Sequence, residues 1–135
     1  MPRFGLLLLA GGLVLVAAGC GGGGSSNERT IAIRYSQFTT GAVEVVAGEP
    51  FTITLRNDDP IEHEWIVGAE DVHEVHRTGT EAFHDSRPTE VTVPAFATRE
   101  TTLVFAELGD YAYICHLPGH EAYGMVGTLR VVAAA

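Results

Sequence analysis

The chain is 135 residues long, carries 17 acidic against 8 basic residues for a formal net charge of −9, and is 46% apolar. That length and composition fit one domain with a substantial core, and the acidic balance excludes a nucleic-acid binder that works by neutralising phosphates. Only two cysteines are present, Cys20 and Cys115, which excludes a disulfide scaffold.

In chain order, the first feature is an export signal. Arg3 gives a short basic start, and Phe4 to Ala18 is an apolar run broken by glycines. Such a run is too short to span a bilayer comfortably and has a signal-peptide layout. Its end, Val16-Ala17-Ala18-Gly19-Cys20, resembles a bacterial lipoprotein processing box, with Ala17 where Leu is usual. The resemblance implies cleavage before Cys20, lipid on the Cys20 sulfur and a membrane anchor of two or three acyl chains, since one chain binds only marginally. An ordinary secretory signal cut near Ala18, leaving Cys20 free, is the alternative. Residues 1–19 are thus read as signal peptide, 20–29 as the lipidated cysteine and a flexible Gly/Ser tether, and 30–135 as the folded domain, working outside the cytoplasm.

Within 30–135 the apolar residues alternate. Alternation runs through Thr30 to Tyr35, Ala42 to Val46, Phe51 to Leu55, Glu90 to Val93, Thr101 to Phe105, Tyr111 to Ile114 and Val126 to Val132, and Trp65-Ile66-Val67 adds another short segment. Gly48-Glu49-Pro50, Asn57-Asp58-Asp59-Pro60, Gly109-Asp110 and Pro118-Gly119 supply turns. Short alternating strands with this punctuation predict an all-β fold, a two-sheet antiparallel Greek-key sandwich of about eight strands. Gly68 to Pro88 breaks the rhythm. A short helix is expected from about Glu70 to Arg77, with acids at its start and Gly79 as its stop.

The chemistry concentrates near the C-terminus. Cys115, His120 and Met125 follow one another at five-residue intervals in one loop between the last two strands, and His63 stands upstream at the start of the Trp65 strand. Zinc sites prefer several Cys or His and rarely use Met. Iron–sulfur clusters need more thiolates. One thiolate and two imidazoles in a plane with a weak axial thioether form the ligand set of a type 1 copper centre, which tolerates both Cu(I) and Cu(II).

The segment Cys115-His116-Leu117-Pro118-Gly119-His120-Glu121-Ala122-Tyr123-Gly124-Met125 resembles the copper loop of the cupredoxins, the blue-copper family that includes plastocyanin, azurin and auracyanin. Val46 to Asn57 resembles that family's approach to its first histidine. The resemblance covers about residues 30–132. It implies that His63, Cys115, His120 and Met125 hold one copper, that backbone near Asn57 braces the cysteine loop, and that electrons leave through the edge of His120 beside Leu117, Pro118 and Gly119. Multicopper oxidases place His on both sides of this cysteine, but here Ile114 precedes it, so a mononuclear centre is expected. His116 is read as exposed or as a donor near the site, and Trp65, Tyr113 and Tyr123 as packing residues.

The resemblance does not explain the long loop. It holds His73, His76 and His84 among Glu70, Asp71, Glu74, Glu81 and Asp85. His73 and His76, three apart, could share a helix face and with His84 bind a second metal ion; a solvated acidic loop is the plainer reading. The function expected is a membrane-tethered, non-enzymatic carrier of single electrons between donor and acceptor proteins, with acidic charge steering a basic partner. Copper delivery or storage, or a small copper enzyme using the second metal, are the alternatives.

Overall fold

The computed structural model describes residues 27–80 and 87–135. Nine strands and one helix follow in the order β1 (Glu28–Arg34), β2 (Gln37–Phe38), β3 (Ala42–Val46), β4 (Phe51–Asn57), β5 (His63–Gly68), α1 (Glu70–Thr78), β6 (Glu90–Val93), β7 (Thr98–Leu103), β8 (Gly109–Ile114) and β9 (Val126–Val132). They form two sheets, β2-β1-β4-β7 and β3-β9-β8-β5-β6. The expected β-sandwich is therefore present, with every predicted strand plus the two-residue β2.

Alternation fills the space between the sheets. Ile31, Ile33, Ile53 and Leu55 enter it from the first sheet, and Trp65, Val67, Tyr113 and Leu129 from the second, all at most 1% exposed. Side chains of successive strand residues point to opposite faces, so Thr52 and Thr54 of β4 lie outward and instead face β7, with Thr52 and Thr102 hydroxyls 3.0 Å apart. Strand directions are mixed rather than wholly antiparallel. β1 runs parallel to β4, pairing Glu28 with Thr52 through Ile33 with Asn57, and β3 runs parallel to β9. Between β1 and β4 the chain crosses to the other sheet to lay down β3, and that crossing reverses the pairing sense.

The predicted helix forms as α1. Glu70 and Asp71 in its first turn and Arg77 in its last complement the helix dipole. Gly79 (φ 64°) closes it, donating to His76 O at 3.3 Å. α1 lies against β5, which helps to bury β5 along its whole length. The approach is close: a Cβ at position 68 would stand 2.8 Å from Val72 Cβ, so Gly68 admits the helix.

Candidate metal centre

β5, β8 and β9 carry the site. β8 and β9 pair up to Ile114 opposite Val126, which brings Cys115 and Met125 together at the end of the ladder. Cys115 N–H donates to Met125 O at 3.2 Å, and Met125 N–H donates to His120 O at 3.0 Å. His120 N–H donates to Leu117 O at 3.0 Å, so the loop is closed by its own backbone. His63 opens β5, which is hydrogen-bonded to β8.

These constraints make three donors converge. His63, Cys115 and His120 place one ligand atom each within 4.8 Å of one another, and they are the one such group of three or more among the described residues. His63 Nδ1 and His120 Nδ1 are 3.3 Å apart, and Cys115 Sγ is 3.3 Å from His120 Nδ1. Atoms bonded at roughly 2 Å to a common ion have such separations. Cys115 and His63 are fully buried, Met125 is 0% exposed, and His120 is the partly exposed member. One soft sulfur beside two imidazoles matches copper in both oxidation states.

The surroundings fix each donor. Cys115 Sγ accepts Glu64 N–H at 3.4 Å. Burial pushes the Cys115 thiol up, against the opposing pull of the Glu64 and Leu117 N–H groups, so without metal the sulfur keeps its proton. The cysteine loop is thus braced by the residue after His63, not by the backbone near Asn57. Asn57 works elsewhere, donating to Ile61 O, Val93 O and Pro94 O. His63 Nε2 sits 3.0 Å from Asp59 Oδ2, and since an ionised carboxylate only accepts, Nε2 carries the hydrogen and Nδ1 is left for the metal. Burial is the main reason the His63 ring resists protonation. Sequence reasoning read Asp59 only as a turn residue; the Asp-x-x-x-His spacing was the signal available.

The remaining predicted residues divide. Trp65 and Tyr113 are core, both 0% exposed, with Tyr113 OH donating to Thr40 O. Tyr123 is 78% exposed and is not a packing residue, because the turn at Gly119 to Gly124 carries it outward. His116, read as exposed or a nearby donor, has a side chain only 4% exposed. α1 covers it. His73 Nε2 bonds Ala112 O at 3.2 Å, a carbonyl that can only accept, so His73 Nδ1 receives the hydrogen of His116 Nε2 at 3.0 Å. His76 donates Nδ1–H to Val72 O at 2.7 Å and stacks on His116 with ring centroids 5.3 Å apart. His73 and His76 thus meet His116, and His84 lies outside the described residues, as does Cys20.

Comparison with known proteins agrees with this geometry. The family model for copper binding proteins of the plastocyanin/azurin family matches residues 27–132. The copper-resistant cuproprotein CopI of Rubrivivax gelatinosus is 30% identical over 110 residues, covering 77% of this chain and 67% of that protein. The fold resembles auracyanin from Roseiflexus castenholzii, with a TM-score of 0.68 at 21% identity over 81% of this chain and 99% of that one. Auracyanin A from Chloroflexus aurantiacus gives a TM-score of 0.61 at 24% identity over 78% of this chain and 98% of that one. The chain belongs to the plastocyanin/azurin family of copper binding proteins, a cupredoxin with one copper as its cofactor.

Proposed function

We propose that the protein is an extracytoplasmic carrier of single electrons, not an enzyme, and that it is tethered to the membrane through lipidated Cys20. The observation that carries this reading is a buried donor set, locked by backbone hydrogen bonds, in which His120 alone is partly exposed. His63, Cys115 and His120 would hold the ion, and Met125, buried where the loop joins β9, would be a fourth donor. Copper supplies a one-electron couple between Cu(I) and Cu(II). The protein's contribution is to keep its donors still. Glu64 N–H holds the sulfur, Asp59 holds the His63 ring, and the loop backbone holds His120. Little then needs to reorganise when the charge changes. His120 offers electrons a short way in and out, and the acidic chain favours a basic redox partner.

A reversible one-electron voltammetric wave, with copper retained through repeated cycles, is the expected result. Loss of copper on each reduction would overturn the reading. The relative's printed description as a copper-resistant cuproprotein favours a second reading, copper handling in resistance. Competition with a Cu(I) chelator separates the two: a carrier keeps its ion and a delivery protein yields it. For the anchor, Cys20→Ser should move the protein from the membrane fraction to the soluble one.

A further inference from the structure

Asp59 is tied down at every polar atom. It is 6% exposed. Oδ1 accepts Tyr35 N–H at 2.7 Å, and Oδ2 accepts Ser36 N–H at 2.8 Å and lies 3.0 Å from His63 Nε2. Its own N–H donates to Asn57 Oδ1 at 3.0 Å, and its carbonyl accepts Phe96 N–H at 3.1 Å. Three N–H donors therefore converge on one carboxylate, an arrangement that suits its acceptor-only form.

The donors are unusual. Tyr35 (φ 55°) and Ser36 (φ 53°) are consecutive non-glycine residues in the left-handed region, at the turn joining β1 to β2, and Phe96 (φ 56°) is a third. Such backbone is unfavourable for residues with a side chain and persists only where the surroundings over-determine it. In that turn the two N–H groups point the same way and make a small nest for an anion. The anion it holds is the Asp59 carboxylate, and the same carboxylate reaches a metal-binding imidazole.

We propose that Asp59 is a positioning residue for the copper: its carboxylate, held by the Tyr35–Ser36 turn, fixes His63 with Nδ1 toward Cys115 and His120 and biases the site toward Cu(II). The inference rests on His63 being a copper ligand. The bias follows from charge. A carboxylate behind the ring makes the imidazole a stronger donor and adds a negative charge in a buried setting, and both favour the more positive ion. Asp59 thereby lowers the reduction potential below that of the same donor set with a neutral partner.

The test compares wild type with Asp59→Asn, which keeps the shape and loses the charge. Cu(II) affinity should fall about 10- to 100-fold, the range for partners of metal-bound histidines, with Cu(I) affinity changed much less. A tenfold change in that ratio raises the potential by about 59 mV for one electron. Nitrogen-15 resonance of the metal-free protein gives an independent reading: His63 should be wholly the Nε2–H tautomer in wild type and mixed in the variant. Equal losses of Cu(I) and Cu(II) affinity, with an unshifted potential and an unchanged tautomer, would overturn the proposal and leave Asp59 a purely structural residue. If Asp59→Asn does not fold, the same comparison is made in a Tyr35→Gly, Ser36→Gly background, where the turn no longer depends on the carboxylate. If His63→Ala binds Cu(II) as tightly as wild type, the ligand assignment itself has failed, and the tautomer measurement distinguishes that outcome.

Discussion

Acidifying the metal-free protein from pH 7 to pH 5 should cost it at least about 2 kcal/mol of stability, through His116. Burial, helped by the neighbouring His73 and opposed by Glu121, pushes the His116 ring down to about 4. In the unfolded chain the same ring titrates near about 6.5. The folded value lies below the unfolded one, so the unfolded chain takes up the proton first. The stabilisation is complete above pH 6.5 and is lost as pH falls through the folded value near 4. About 2.5 pKa units at 1.36 kcal/mol each set a limit of about 3.4 kcal/mol, of which about 2 is gone by pH 5. His63 and His73 are shifted the same way, each mainly by burial, and add to the loss. Asp59 is held below the usual carboxylate range: burial opposes this, but the N–H groups of Ser36 and Tyr35 and the His63 ring outweigh it. Its contribution disappears only at lower pH. Urea unfolding of metal-free wild type and His116→Gln across this range is the assay, because Gln can still offer an N–H toward His73 and does not titrate. Wild type should lose about 2 kcal/mol more than the variant. Equal slopes in the two proteins, or a flat wild-type profile, would refute the placement of His116 beneath α1.

Three substitutions test the packing that positions the site. Gly127→Ala would put a Cβ 2.1 Å from the Tyr113 ring, and such overpacking should cost about 1–3 kcal/mol, read from the urea midpoint. Leu129→Ala empties a position that is 0% exposed in the core and should cost about 2–5 kcal/mol in the same assay. Arg77→Ala breaks a contact of 2.7 Å to Glu121 across α1 and the copper loop, but the two side chains are 32% and 34% exposed, so the change should stay below about 1 kcal/mol.

How far the sequence could be read depends on what kind of order each feature needs. Alternation in Ile31 to Ile33, Ile53 to Leu55 and Leu129 to Val131 records which face is buried, so the sandwich was legible from it. It carries no direction, since parallel and antiparallel strands alternate alike, and the pairing of β1 with β4 was out of reach. β2 is two residues long and has no period to detect. The helix was legible because its signals are local, from Glu70 and Asp71 to Gly79. At the site, Cys115, His120 and Met125 share one loop and so one pattern. Asp59 and His116 depend on tertiary placement: Asp59 is aimed by the left-handed turn at Tyr35 and Ser36, and His116 is covered by a helix some forty residues earlier in the chain.

Titrating the purified chain with Cu(II) tests the central claim most directly. Binding should saturate at one ion per chain, with an intense visible charge-transfer band from the Cys115 thiolate, and that band should be missing from Cys115→Ser. A fully loaded wild type with reduced Cys115 and no such band, or the same spectrum from Cys115→Ser, would contradict a copper centre built on this cysteine.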